Sequence, residues 1–223
     1  MKRALIKWSG AIVVLVVAVL FFFDVVRPDL FADNVYPLKF QTEIASVAKE
    51  FHLEKNLIAA LIFTESRFRE TCPKSPRGAI GLTQMLPSTA ANVAKNLGVE
   101  DFSVQRLCAE PALAIRLGVA YLRSAYDRAL GLGASPELAE QVALAHYNGG
   151  PRAANLLLAT KRTNTLNRET SKFVPIVLQR EQVYLELYGD DWGEEEVKPF
   201  AFRPGQNILD LLDPNKLAVF LGA

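Results

Sequence analysis

The residue with the clearest chemical potential in this sequence is Glu65, which the hydrophobic pattern places inside the fold. It lies in Lys55–Phe68 (KNLIAALIFTESRF), three residues after Ile62 and four after Leu61, so a helix would put the three side chains on one apolar stripe. A buried carboxylate without a neighbouring cation resists ionisation, and its pKa should rise. An acid still protonated near neutral pH can donate a proton to a leaving group, as glycosidic bond cleavage requires. The alternative is a structural glutamate that pairs with a buried arginine or caps a helix end.

A loop punctuated by glycine follows the Glu65 helix. Ser75–Pro87 (SPRGAIGLTQMLP) contains Gly78 and Gly81 and then the polar pair Thr83 and Gln84. Glycine permits backbone conformations closed to other residues and a close approach to a ligand. The loop is therefore predicted to form one wall of a cleft that can hydrogen-bond a polar ligand such as a sugar.

The elements that must position these groups are predicted to be helices throughout. Pro28–Pro37 is expected to be a linker, and no alternating strand pattern of useful length is present. Prolines, glycines and Ser135 punctuate the chain at positions typical of helix ends. The predicted helices are Leu38–Phe51, one around Glu65, Pro87–Leu97, Pro111–Leu130, one from Pro136 to about His146, Pro151–Ala159 and Thr170–Tyr188.

A basic and then apolar N-terminus predicts a membrane anchor. Lys2, Arg3 and Lys7 precede Trp8–Val26, a mostly apolar stretch of 19 residues that is long enough to span a membrane. The basic flank favours a cytoplasmic N-terminus with the rest of the chain outside. We expect an uncleaved signal anchor; the alternative is a cleaved signal peptide, although no cleavage site is evident.

Outside the cytoplasm, the two cysteines are expected to pair. Cys72 follows the Glu65 helix and Cys108 precedes the helix that begins at Pro111, so both flank the predicted cleft. Two cysteines and two isolated histidines lack the spacing of zinc ligands, and we expect no metal or other cofactor. The net charge of +1 gives no reason to expect nucleic-acid binding.

Four ordered blocks resemble the Slt-type lytic transglycosylases, which belong to the lysozyme-like superfamily and cut the glycan strands of bacterial peptidoglycan. The first is ES at Glu65–Ser66 with SPRGAIGLTQMLPSTA at 75–90. The others are EPALAIRLGVAYL at 110–122, ALAHYNGGP at 143–151 and RETSKFVPIVL at 168–178. The resemblance covers roughly residues 40–188 and implies an all-α, lysozyme-like domain, which here lies behind the N-terminal transmembrane or signal segment predicted above. We divide the chain into 1–32 (anchor or signal and linker), 33–189 (catalytic domain) and 190–223 (C-terminal appendage).

The resemblance also implies roles for individual residues. Glu65 takes the place of the catalytic acid and base. Positions implied to bind substrate or line the cleft are Ser66, Ser75, Gly78, Gly81, Gln84, Met85, Tyr147, Asn148 and Glu169. The chain departs from the family pattern at Ala114, usually Asn, at Phe173, usually Tyr, and at His146, which replaces a small residue.

The resemblance implies cleavage of the bond between N-acetylmuramic acid and N-acetylglucosamine, with closure of a 1,6-anhydro ring and without a second catalytic carboxylate. Together with the basic and apolar N-terminus, it predicts a catalytic domain in the bacterial periplasm, held at the inner membrane or released after signal cleavage, with peptidoglycan as partner. Two other functions stay open: a goose-type-like muramidase that uses water, and a non-catalytic peptidoglycan-binding module of an envelope complex whose partners the sequence does not name.

Overall fold

The computed structural model describes residues 35–189 as an assembly of helices. Within that range, β-structure is limited to two isolated bridges, Lys74 with Ile80 and Ile80 with Met85. The helices are α1 (Gln41–Phe51), α2 (Lys55–Ser66), α3 (Pro87–Asn96), α4 (Val104–Ala109), α5 (Pro111–Gly131), α6 (Pro136–Thr160) and α7 (Arg168–Tyr188), with a 3₁₀ turn at Thr163–Thr165.

Helix α2 runs through the centre of the fold. It packs against α7 and α1, while α5 packs against α1 and α6. Every residue of α2 from Asn56 to Phe63 is buried, so the helix has no single inward stripe. This corrects the sequence expectation, because a helix surrounded by others buries all its sides. Beyond its first residue, Lys55, the helix is partly exposed only at Thr64 and Glu65 in its last turn.

The helix ends follow the predicted punctuation. Proline occupies the first turn of α3, α5 and α6, where its missing N–H breaks no helical hydrogen bond. The Ser135 hydroxyl accepts a hydrogen bond from the Leu138 amide at the start of α6. The two helices expected over 136–159 form one segment bent at Gly150, whose φ of 73° and ψ of −173° are not helical.

Helix α4 was not expected from the sequence. It has six residues, and the Ser103 side chain caps it by accepting from the Arg106 amide. Cys108 lies in this helix and is bonded to Cys72, with Cα atoms 5.1 Å apart. The bond therefore ties the loop after α2 to α4.

Two regions named in the sequence analysis lie outside the described residues: the anchor expected at 1–32 and the appendage at 190–223. In the part of the chain that the structure describes, no helix combines the length and apolar character needed to cross a membrane.

Candidate active site

Glu65 lies on the wall of an open cleft of about 390 Å³. The lining comes from the end of α2, the 67–86 loop and the start of α3, and from α5, α6 and α7. Its residues are Glu65, Ser75, Arg77, Ala79, Gln84, Met85, Leu86, Thr89, Tyr121, Tyr147, Asn148, Gly149, Gly150 and Glu169. Distant blocks of sequence thus supply one concave surface, which is the usual form of a ligand site.

The Glu65 carboxyl has no hydrogen bond or ion pair with any other residue in 35–189. Desolvation by burial, together with a smaller contribution from the negative charge of Glu169, raises the pKa of Glu65 from 4.5 to about 8. Burial disfavours the charged form because the surrounding protein solvates it poorly. Glu65 is therefore mostly protonated at neutral pH while part of its surface faces the cleft.

The 67–86 loop forms one wall of the cleft, which we call the loop wall, and hydrogen bonds to its own backbone hold it in shape. The Gln84 side-chain nitrogen donates to the carbonyls of Pro73 at 2.7 Å and Gly81 at 2.9 Å. Met85 and Ile80 exchange two backbone hydrogen bonds, at 2.9 and 3.1 Å. With its side-chain NH₂ group engaged in the loop, Gln84 acts as an internal brace that keeps the adjacent Met85 at the cleft.

Thr83 fastens the loop to two helices. Its hydroxyl donates to the carbonyl of Ala114 in α5 at 3.1 Å, and its carbonyl accepts from the Tyr147 hydroxyl in α6 at 2.7 Å. Gly118 allows this approach, because a Cβ there would lie 2.9 Å from the Thr83 side chain. The contacts set the spacing between the loop and the aromatic wall opposite.

Two tyrosines form that aromatic wall. The rings of Tyr121 and Tyr147 are 5.6 Å apart, and Tyr121 also contacts His146 edge to face at 5.0 Å. Burial and the neighbouring Glu65 raise the pKa of Tyr147 well above its usual value, so its hydroxyl stays a donor. His146 does not line the cleft; it borders a small separate cavity beside Arg128, where burial lowers its pKa.

Hydrogen-bonded polar side chains also line the cleft. Arg77 forms an ion pair with Glu169 at 2.7 Å, and the Asn148 amide nitrogen lies 3.4 Å from the other carboxylate oxygen of Glu169. The Asn148 carbonyl oxygen accepts from the Thr170 hydroxyl at 2.8 Å. Glu169 is thus held between a cation and an amide, unlike Glu65.

The family model for the transglycosylase SLT domain matches residues 43–169, over half of the 223-residue chain and the whole range from Glu65 to Glu169. This chain belongs to the transglycosylase SLT domain family.

Solved structures agree with this assignment. A structure of an inactive mutant of lytic transglycosylase Slt from Pseudomonas aeruginosa is 26% identical, with a TM-score of 0.62, over 77% of this chain and 28% of that chain. The 70 kDa soluble lytic transglycosylase from Escherichia coli is 23% identical, with a TM-score of 0.60 and the same coverage. A complex of the 70-kDa soluble lytic transglycosylase with bulgecin A is 22% identical, with a TM-score of 0.61, over 80% of this chain and 29% of that chain. The SLT chain therefore has their lysozyme-like helical fold and spans under a third of their length.

Seven residues singled out from the sequence line the cleft of the SLT domain: Glu65, Ser75, Gln84, Met85, Tyr147, Asn148 and Glu169. Ser66 does not, because consecutive helical residues point about 100° apart; its hydroxyl donates to the Ile62 carbonyl at 3.2 Å inside the core. Gly78 is also absent from the lining, and so is Gly81. The φ of 78° at Gly81 and its amide bond to the Pro73 carbonyl shape the loop behind the surface.

Sequence reasoning missed Arg77 and Tyr121 as lining residues of the SLT domain. Arg77 lies between Ser75 and Gly78, so its position in the glycine-containing loop was the signal that could have placed it in the cleft lining. Tyr121 belongs to the 110–122 block that resembles the family pattern, and its position on that predicted helix was the only signal that it could line the cleft. Two of the three departures from the family pattern lie in the protein interior, since Ala114 is 1% and Phe173 8% exposed, whereas His146 is half-buried.

Proposed function

We propose that this SLT domain cleaves peptidoglycan between N-acetylmuramic acid and N-acetylglucosamine and leaves a 1,6-anhydro-N-acetylmuramic acid end. The observation that carries the proposal is the state of Glu65: its pKa is about 8, and its carboxyl lines a cleft large enough for a sugar. A proton held at neutral pH beside a bound glycan is what a departing glycosidic oxygen needs.

Glu65 performs two proton transfers in this proposal. The protonated carboxyl donates to the glycosidic oxygen as the bond to the muramyl anomeric carbon breaks. The resulting carboxylate accepts the proton of the muramyl 6-hydroxyl, whose oxygen bonds to that carbon and closes the ring. Glu65 is protonated again at the end, so no water is consumed.

The state of Glu169 argues against a mechanism with two catalytic carboxylates. Retaining and inverting glycosidases use a second acid as nucleophile or base. The only other carboxylate on the described cleft lining is Glu169, and Arg77 and Asn148 occupy both its oxygens. We assign Glu169 to substrate binding and stabilisation of the cationic centre to the substrate's own acetamido group.

The cleft walls favour the internal hydroxyl over water. Met85, Tyr121 and Tyr147 give the lining beside Glu65 an apolar and aromatic character. Holding the 6-hydroxyl in place saves the entropy of bringing a separate nucleophile, an effect worth several kcal/mol. Substrate bound against these walls would displace solvent from the reacting carbon.

We also propose that the domain acts in the bacterial periplasm, held at the inner membrane by the segment at 1–32. The Cys72–Cys108 disulfide supports an oxidising compartment, and peptidoglycan is found there. Release after signal cleavage is the alternative, and N-terminal sequencing of the mature protein decides between them.

Digestion of purified sacculi with mass analysis tests the reaction. We expect fragments that resist borohydride and are lighter than hydrolysis products by one water. The Glu65→Gln variant should bind sacculi and release almost nothing, because an amide of the same shape cannot exchange the proton. Reducible ends that incorporate oxygen from labelled water would identify a muramidase instead. Binding without cleavage by the wild-type protein would identify a non-catalytic module.

A further inference from the structure

The Cys72–Cys108 disulfide lies against the turn of the loop wall. A Cβ placed on Gly81 would lie 4.0 Å from the Cys72 sulfur and 3.6 Å from the carbonyl oxygen of Leu107. Leu107 is the buried residue of α4, and Cys108 follows it in that helix. The residues of α4 are absent from the cleft lining. The bond therefore ties the wall to a helix that lies behind it.

Pro73 connects the disulfide to the cleft surface. It follows Cys72, and its carbonyl accepts hydrogen bonds from the Gly81 amide at 3.0 Å and from the Gln84 side chain at 2.7 Å. Gln84 and the adjacent Met85 both line the cleft. A shift of Cys72 would therefore move the acceptor on which this part of the wall is built.

The backbone of Cys72 has a conformation that its surroundings must enforce. Its φ of 49° lies in the left-handed region, which costs free energy for a residue with a Cβ. The covalent bond to Cys108 and the hydrogen bonds to the Pro73 carbonyl are the contacts that hold it. Breaking the disulfide removes the covalent contact, so Cys72 can relax.

A second fastening of the loop wall does not depend on the disulfide. The Thr83 hydroxyl donates to the Ala114 carbonyl in α5, and the Thr83 carbonyl accepts from the Tyr147 hydroxyl in α6. These hydrogen bonds stay in place when the disulfide is broken. We therefore expect the reduced domain to remain folded, with movement confined to residues 72–81.

The disulfide is accessible to reagents in solution. Cys72 and Cys108 are each partly exposed, and Thr71 and Ala109 beside them are exposed. Thiol–disulfide exchange requires an attacking thiolate to reach one of the two sulfurs, so exposed bonds are the ones that exchange.

We propose that the Cys72–Cys108 bond is a redox switch for glycan cleavage, an inference that rests on the proposed function. In the oxidised state the bond holds the loop wall against the bound glycan. In the reduced state the wall loosens and water reaches the reacting carbon. Water then competes with the muramyl 6-hydroxyl, so a larger share of the products has reducible ends.

The reductant in this proposal is a dithiol. One of its thiolates attacks a sulfur of the protein and forms a mixed disulfide, and its second thiolate then releases the protein. The dithiol is oxidised to a disulfide, while Cys72 and Cys108 together take up two electrons and two protons. A disulfide reagent restores the bond by the reverse exchange.

The test compares the full-length protein as purified, after reduction with dithiothreitol and removal of the reagent, and after reoxidation with oxidised glutathione. Sacculi are digested, and both kcat and the share of reducible ends among the products are measured. That share reports on folded enzyme alone, because unfolded molecules release nothing. The Cys72→Ala/Cys108→Ala variant shows whether dithiothreitol acts elsewhere. Ile44→Ala, at a fully buried position in α1, lowers stability without touching the loop wall.

Reduction should lower kcat about tenfold, because a displacement of about an ångström in an active site can cost that much or more. The share of reducible ends should rise, and reoxidation should restore both values. The double cysteine variant should match the reduced protein and ignore dithiothreitol, and Ile44→Ala should keep the wild-type share. An unchanged kcat, a lower kcat with an unchanged share of reducible ends, or unfolding of the reduced protein would each overturn the inference.

Amide hydrogen exchange separates this inference from the proposed function. The amides of Ile80, Gly81 and Met85 are hydrogen-bonded within the loop wall and should exchange faster after reduction, while those of α5 and α7 should not. If the oxidised wild-type protein cuts no sacculi, the proposed function fails, and exchange alone judges whether the bond holds the wall. Equal acceleration throughout the domain, or none in the loop wall, would then overturn the inference.

Discussion

The neutral state of Glu65 makes a thermodynamic prediction that needs no substrate. The unfolded chain loses the Glu65 proton near the ordinary pKa of 4.5, whereas the folded chain retains it up to about pH 8. Between these values the folded state binds more protons than the unfolded state, so the free energy of unfolding falls as pH rises. The contribution is fully present below pH 4.5 and is lost by about pH 8.

The size of the effect follows from that window. Each pH step of one between the two pKa values costs about 1.4 kcal/mol of unfolding free energy. At pH 7 the wild-type protein has therefore lost about 3 kcal/mol relative to acidic conditions. Glu65→Gln does not titrate and escapes this loss. Its stability advantage over the wild type should grow by about 3 kcal/mol between pH 4 and pH 7.

Urea unfolding followed by circular dichroism at both pH values measures the effect. Other groups titrate in the same range, including Glu181, whose pKa is raised to about 8 by burial and by neighbouring Glu140. Their contribution is common to both proteins and cancels in the difference. The variant Glu100→Gln removes an exposed carboxylate and serves as the control.

A Glu65→Gln advantage that is the same at pH 4 and pH 7 would refute the argument, because a pH-independent gain reflects packing and not proton uptake. An advantage that shrinks as pH rises would mean that the charged form is the one favoured by folding. Either result would remove the physical basis for Glu65 as a neutral acid.

Two further predictions concern backbone and covalent structure. Gly149→Ala should lower the free energy of unfolding by about 1–3 kcal/mol, since its Cβ would lie 2.7 Å from both Ala153 and Thr170. Gly131→Ala serves as the control in thermal melts. Its Cβ would meet nothing within 4 Å, so this variant should be neutral or stabilised by up to about 1 kcal/mol. Replacing Cys72 and Cys108 by serine opens a loop with a sequence separation of 36 and should lower the free energy of unfolding in urea by about 3–4 kcal/mol. An unchanged midpoint of the urea transition, or thiols that react in the unreduced wild-type protein, would contradict this prediction.

The sequence predicted best those elements whose signals are local. The prolines at the start of α3, α5 and α6 and the Ser135 cap mark helix boundaries through backbone chemistry alone. The position of Glu65 at the end of an apolar helix also follows from its spacing. Its raised pKa needed no knowledge of the partners, because burial is the dominant cause.

The features that escaped prediction depend on tertiary contacts. Helix α4 has only six residues, too few for a periodic signal, and its link to Cys72 fixes it in place. Arg77 reaches Glu169 across many residues of intervening chain, a pairing that no local pattern encodes. Resemblance alone assigned Ser66 to the cleft, although its direction one residue after Glu65 already pointed elsewhere.

The fastening of the loop wall has an evolutionary consequence. Thr83 donates to the carbonyl of Ala114, Tyr147 donates to the carbonyl of Thr83, and Gln84 donates to the carbonyls of Pro73 and Gly81. Every residue type has a backbone carbonyl, so the residues at the accepting positions can change while the hydrogen bonds are kept. Ala114 is an instance: the asparagine usual there is gone, yet its carbonyl still holds Thr83. Selection on the donor side should therefore fall on Thr83, Gln84 and Tyr147, while the acceptor positions Pro73 and Ala114 should tolerate substitutions that fit the space. Gly81 is constrained separately by its φ of 78°.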